Sequence, residues 1–266
     1  SLLAAGILPV AAAGNDGNNR TSYPAGYGSV MSVAAVDANQ VRASFSQYNK
    51  TVEISAPGVG VLSTVPMGTG LGATLSAAGT AREALPLEGS PTASVTGALA
   101  DFGQGTSASA GSMSGKVCLI QRGTVSFADK VLNCQASGGV GAVIYNNAAG
   151  GFSGTLGGAT TSIPSVSVSD TDGAALLAQV GSSAALAVGP SNYAYFDGTS
   201  MATPHVAAAA ALVWSRNPGC SASQLRASLT KSAKDLGATG RDNQYGHGLL
   251  QAKAADDRIK ALGCGS

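Results

Sequence analysis

The chain has 266 residues, enough for one large domain or two small ones, and a formal net charge of +1. That balance, with no basic run, offers nothing to nucleic-acid phosphates or to an acidic substrate, and no apolar run reaches the ~18 residues of a membrane span. Charged residues are only 11% against a usual ~25%, and Gly stands at 37 positions, about twice its ordinary ~7% share.

Few charges and abundant Ser, Thr and Gly fit a compact secreted protein. The chain opens with Ser1 and shows no signal-peptide pattern. Residues 1–5 read as a helix tail stopped by Gly6. Ile7 to Ala13 is a short apolar run suited to a buried parallel strand, ending in the loop Gly14-Asn15-Asp16-Gly17-Asn18. Strands are expected at Val30 to Val36, Thr51 to Ala56 and Val61 to Val65. Asn19-Arg20-Thr21 and Asn49-Lys50-Thr51 fit the glycosylation pattern but are too short to carry weight.

From Gly68 to Gly189 the pattern changes. Gly68 to Ala78 and Ala108 to Ser114 are rich in Gly, Ser and Ala and read as linkers or surface loops. Lys116 to Gln121, Val140 to Asn146, Ile163 to Val168 and Ala184 to Val188 read as strands. Ser126 with Asp129 caps a helix reaching about Ser137, and Ser169-Asp170 cap another over Gly173 to Val180. Asp129 and Lys130 are expected on a solvated helix face. After Trp214, Ser221 and Gln224 form a capping box for a helix to about Ser232. A last helix runs from about Leu250 to Leu262.

The chemistry concentrates in Asp197-Gly198-Thr199-Ser200-Met201-Ala202-Thr203-Pro204-His205 and the alanine run behind it. Gly198 permits a tight turn, and Pro204 fits only near a helix start. Ser200 then sits where unpaired N–H groups and the positive helix end surround its hydroxyl, a placement suited to a nucleophile. The slim alanine helix is expected to be buried, with His205 pointing into its packing as a structural residue. His247, between two glycines, also reads as structural.

The run G-T-S-M-A-T-P-H-V-A resembles the nucleophile motif of the subtilisin-like serine peptidases (subtilases), and Ala11-Ala12-Ala13-Gly14-Asn15 resembles the strand carrying their oxyanion asparagine. The resemblance implies an α/β fold, a subtilisin-like parallel sheet with flanking helices, of which this chain holds a part. It implies Ser200 as nucleophile and an oxyanion site of Asn15, the Ser200 N–H and a helping Thr199. Ala12, Ala13, Gly14 and Ser22 would shape a P1 pocket tolerant of sizeable apolar groups. In several relatives carbonyls hold a weak cation, here those of Ala25, Tyr27 and Val30, as a structural calcium; no cofactor is required for the chemistry. Gly115 to Thr124, Phe127 to Lys130 and Gly141 to Asn147 resemble a protease-associated (PA) domain, a small α/β insert at residues 68–189, with 1–67 and 190–266 forming the catalytic part.

The cysteines are Cys118, Cys134, Cys220 and Cys264. They match no zinc spacing and allow three pairings; the local ones, Cys118–Cys134 and Cys220–Cys264, are expected. Such loops stabilise by about 3–4 kcal/mol each in the chain-entropy model, and pairing points to an oxidising, extracellular compartment. A subtilase also needs a histidine base and an aspartate that orients it. Neither His205 nor His247 has the family's context, and there is no Asp-Thr-Gly or His-Gly-Thr run. The expected partners are therefore a protein or peptide substrate and a missing N-terminal part of the same enzyme, with no nucleic acid and no membrane; alone, this chain is expected to be inactive. The rival expectation is a non-catalytic scaffold working through the insert. A nucleophile at Ser1 is disfavoured because Ser1 sits in a helix tail.

Overall fold

The computed structural model describes residues 2–266; the Ser1 nucleophile lies outside them. The chain divides into two compact units, one running to Val61 and resuming at Phe196, the other spanning Leu62–Tyr195. In the first unit, strands β1 (Val10–Ala12), β2 (Met31–Val36) and β3 (Val52–Pro57) form a parallel sheet in the order β1-β2-β3. β2 is buried along its whole length, as a parallel strand covered on both faces must be.

Against this sheet lie α3 (Thr199–Arg216), α4 (Ala222–Lys231) and α5 (Ala252–Leu262). Ala202, Val206, Ala210 and Val213 recur at helical spacing on α3 and pack with Met31, Val33, Ala35 and Ile54. Leu225, Leu229, Ala255 and Ile259 complete that core. The expected capping box is present, with Ser221 accepting from the Gln224 N–H and Gln224 accepting in return. Cys220–Cys264 joins the entry of α4 to the end of α5.

The α3 helix is not buried all round. Ala207, Ala208 and Ala211 are exposed, and Leu212 is 59% exposed, because the strands engage only the Ala202–Val213 stripe. His205 lies on the exposed side too, its Nδ1 donating to the Met201 carbonyl one turn back, 2.8 Å away, rather than entering the packing.

In the second unit β4 (Val61–Thr64) pairs with β13 (Tyr193–Phe196). Eight further strands form one sheet: β5 (Gly70–Ala77), β6 (Thr80–Arg82), β7 (Leu85–Pro86), β8 (Ala93–Asp101), β9 (Val117–Gln121), β10 (Gly141–Tyr145), β11 (Ser165–Val168) and β12 (Ser183–Ser191), in the order β6-β5-β12-β8-β9-β10-β11-β7. The outermost strands, β6 and β7, are separated in the chain only by Glu83 and Ala84. The sheet must therefore curl until its edges meet. Leu119, Val143, Val166 and Leu186 fill its inner face. Cys118, Ile120, Ala142 and Ile144 point the other way, against Val131 and Cys134 of α1 (Phe127–Ala136). The second helix, α2 (Asp170–Leu177), contributes Leu176 to the inner cluster. Ser126 and Ser169 accept from the third N–H of their helices, Asp129 and Asp172.

Two expectations fail in this unit, and three strands went unread. Gly70–Ala77, within the presumed linker, is a strand paired with β12 over its whole length. Strands β6, β7 and β8 have no counterpart in the sequence reading. Lys130 is wholly buried instead of solvated. It shares a helix face with Cys134 and its ammonium donates to the Gln104 carbonyl. Burial pushes its pKa below the ordinary 10.5, since the charged form is the one that desolvation penalises.

Candidate functional site

The loop before α3 is held by close backbone approach. Gly198 has φ 159° and ψ 155°, a region essentially reserved for glycine. Its N–H donates to the Gly58 carbonyl at 2.8 Å, and Asp197 Oδ1 accepts from the Gly60 N–H at 2.6 Å. A Cβ on Gly58 would stand 2.6 Å from the Ala35 Cβ and 2.7 Å from the Gly198 carbonyl oxygen, so this close approach requires glycine at 58. Helix α3 then starts at Thr199, which is fully buried, and Ser200 comes out exposed at its first turn.

Asn15 reaches this turn from 184 residues away in the chain. Its Oδ1 accepts from the Thr199 N–H at 2.9 Å and from the Thr199 hydroxyl at 2.8 Å. Both partners donate, so the oxygen of the carboxamide must face Thr199 and the NH2 must face away. That Nδ2 lies 3.5 Å from where a Gly198 Cβ would stand, and the Ser200 nitrogen lies 3.7 Å from the same point. Neither donor makes a hydrogen bond among the described residues. Two unpaired N–H donors near an exposed serine are groups that can stabilise a developing oxyanion. Thr199 holds them there. Its hydroxyl gives its proton to Asn15 and accepts from the Gly14 N–H at 3.2 Å, which leaves it directed at Asn15 and not at an incoming oxyanion.

Ala12 and Gly14 are half-buried at the end of β1, whereas Ala13 is 1% exposed and packs with Ala34 and Val52 beneath the sheet. Strand alternation thus separates Ala13 from its neighbours. Ser22 Oγ donates to Gln47 Oε1 at 3.1 Å. Gln47, only 1% exposed, also holds Gly14 in place: its backbone N–H donates to the Gly14 carbonyl at 2.9 Å, and its Nε2 donates to the Arg20 carbonyl at 2.6 Å. A Cβ on Gly14 would meet Gln47 Oε1 at 1.5 Å. Gln47 was not singled out in the sequence; among Phe45, Ser46, Tyr48 and Asn49 it is an ordinary polar residue with no signal to select it. Asn49 is also buried, its Nδ2 donating to the Arg20 carbonyl, which removes it as a glycosylation site.

The carbonyls assigned to a weak cation are partly engaged by protein donors. Ala25, Tyr27 and Val30 line a cavity of about 310 Å³ with Glu53, Arg226, Arg241 and His247. The Val30 carbonyl accepts from Arg226 Nη2 at 3.3 Å, and that of Tyr27 accepts from the Val30 N–H at 2.9 Å. Glu53, the one carboxylate there, is paired with Arg226. Among the described residues no group of three His, Cys, Asp or Glu side chains could hold a metal. His247 belongs to this cavity; burial first, and Arg241 second, lower its pKa, while Glu53 opposes them. No histidine nitrogen is hydrogen-bonded to Ser200 among the described residues.

Both disulfides are the local ones, Cys118–Cys134 and Cys220–Cys264, and no cysteine is free. No helix among the described residues is long and apolar enough to cross a membrane.

Comparison with known proteins bears on the family and the fold. A family model described as the subtilase family matches residues 140–248, and a PA domain model matches residues 87–176. Subtilisin Savinase from Lederbergia lenta is 30% identical over 250 residues, 94% of this chain and 46% of that protein. A thermostable alkaline protease from Halalkalibacterium halodurans is 63% identical over 60 residues, 23% of this chain and 17% of its own. The structure of the psychrophilic subtilisin-like protease Apa1 from the Antarctic psychrotroph Pseudoalteromonas sp. AS-11 superposes with a TM-score of 0.86 at 41% identity, covering 100% of this chain and 66% of that one. The chain spans about half the length, or less, of the curated relatives it matches.

Proposed function

We propose, from the premise that this chain belongs to the subtilase family and carries a PA domain, that it supplies the nucleophile and oxyanion site of a serine endopeptidase. Ser200 attacks the scissile carbonyl. Asn15 Nδ2 and the Ser200 N–H receive the oxygen as it becomes negative, and Thr199 keeps the Asn15 carboxamide in the orientation that allows this. Ala12, Gly14 and Ser22 front the P1 side chain, with Ala13 and Gln47 behind them. The observation that carries the reading is the pair of unpaired donors flanking Gly198, held by the two hydrogen bonds to Asn15 Oδ1.

A serine hydroxyl is a weak nucleophile until a base takes its proton. In our reading the histidine and its orienting aspartate come from residues outside these 266, since His205 turns back onto its own helix and His247 sits in the Arg241 cavity. The substrate is a protein or peptide, no cofactor takes part in the chemistry, and the two disulfides support an oxidising, extracellular setting.

Incubation with a fluorophosphonate probe tests this. The 266-residue chain alone is expected to remain unlabelled. The complete enzyme labels, and its Ser200→Ala variant does not. Brisk labelling of the chain alone refutes the external base; a complete enzyme that labels elsewhere refutes the nucleophile.

A further inference from the structure

A cavity of about 150 Å³ opens in the second unit where β11 gives way to α2. That is the carboxyl end of β11, which runs parallel to β10. Its volume is below the ~300–1,000 Å³ of small-molecule sites and suits a single side chain. Leu85 and Phe152 form an apolar wall, and Glu83, Ser169 and Asp172 form the polar rim. The wall is fixed: Arg122 lies over the Phe152 ring at 4.9 Å, Phe127 stands against it at 5.4 Å, and Ser167 Oγ donates to the Phe152 carbonyl at 2.6 Å.

The two carboxylates of the rim differ. Asp172 accepts from the Ser169 hydroxyl at 3.0 Å and pairs with Arg82 at 3.5 Å. Glu83 is exposed at the seam of the curled sheet and has no side-chain partner among the described residues. The neighbouring cations are engaged, Arg82 with Asp172 and Arg122 with Asn146 Oδ1 and the two rings. An anion meets carboxylates here, and a metal ion lacks a third ligand. A long basic side chain meets both demands, since its methylenes cover apolar surface while its charge stays at the rim.

We propose that this cavity binds a lysine or arginine side chain of a polypeptide, with the stem on Leu85 and Phe152 and the charge on Glu83. The proposal is independent of the role given to Ser200. It is tested on the full chain by amide NMR during titration with a capped Gly-Ser-Lys-Ser-Gly peptide. The expected shifts converge on Gly151, Ser167 and Ser169. Glu83→Gln is expected to weaken the Kd about five-fold, which is about 1 kcal/mol at 1.4 kcal/mol per tenfold. Glu88→Gln, an exposed carboxylate of the same unit, leaves the Kd unchanged. A peptide with norleucine in place of lysine, which keeps the four-carbon stem without the charged nitrogen, is expected to bind at least about five-fold more weakly. Equal effects of the two substitutions, shifts spread over the acidic surface, or equal binding of the norleucine peptide would each overturn the proposal.

Discussion

Thr199 offers a sharp test of the site, because two roles predict different arithmetic. If its hydroxyl met the oxyanion directly, its loss would add to the loss of Asn15. In the structure that hydroxyl bonds Asn15 Oδ1 and the Gly14 N–H instead. Thr199→Val keeps the shape and the backbone N–H but removes the hydroxyl. It leaves the Gly14 N–H without its acceptor, a stability cost of ~1–3 kcal/mol, and holds Asn15 by one bond where there were two. Complete loss of such an oxyanion donor costs ~10²–10³ in kcat, a range that itself comes from subtilisin. A loosened carboxamide should lose a fraction of that, and we expect about ten-fold in kcat, or ~1.4 kcal/mol, with KM unchanged. Thr199→Ser restores the hydroxyl and is expected within about two-fold of the parent. The deciding measurement is the double-mutant cycle, with kcat and KM read on a peptide anilide in the complete enzyme. In an Asn15→Ala background, Thr199→Val should cost nothing further. Additive losses would refute the positioning role and return the hydroxyl to the oxyanion.

Gly14→Ala places a methyl 1.5 Å from Gln47 Oε1 at a φ of 115°; steric conflict and backbone strain together should destabilise the first unit by ~2–4 kcal/mol, read as a fall in chemical-denaturation midpoint. Lys130 tests the buried ammonium. Its folded pKa lies below the unfolded 10.5, so the folded state binds fewer protons in the interval between the two values. Stability should therefore rise with pH through the depressed folded pKa and level off above 10.5. Lys130→Met should abolish that rise at little cost at neutral pH, since an apolar side chain of similar length replaces a desolvated charge; melts across the alkaline range read both, and an unchanged slope in the variant contradicts the assignment.

What the sequence revealed depended on the signal each element carries. Helices α1 and α4 were legible from Ser126 and from the Ser221–Gln224 box because capping is local chemistry. The strands β9 and β10 were legible as apolar runs. The stretch Gly70–Ala77 was not. Its Gly, Ala, Ser and Thr look like a linker, and it becomes a strand only because β12 supplies a partner more than a hundred residues on. The same holds for β8, where small and polar residues alternate. Lys130 was misjudged from its charge, although its position four residues before Cys134 already put it on the side of α1 that carries a disulfide to β9.

The candidate site shows the same division more sharply. Neither Asn15 nor Ser200 is conspicuous by itself, and their separation in the chain carries no spacing signal. They became readable together through resemblance to a known family. The physics that joins them is the Thr199 pair of hydrogen bonds, and this could not be foreseen from either segment, because an asparagine side chain has no preferred orientation until something donates to its oxygen. Thr199 therefore decides whether Asn15 presents an acceptor or a donor to whatever approaches Ser200. A turn with Asn15 reversed would have the same sequence and backbone and would leave the Ser200 N–H as its one donor to a negative oxygen. The direction of one carboxamide, set by a buried threonine, separates a structural turn from an oxyanion site.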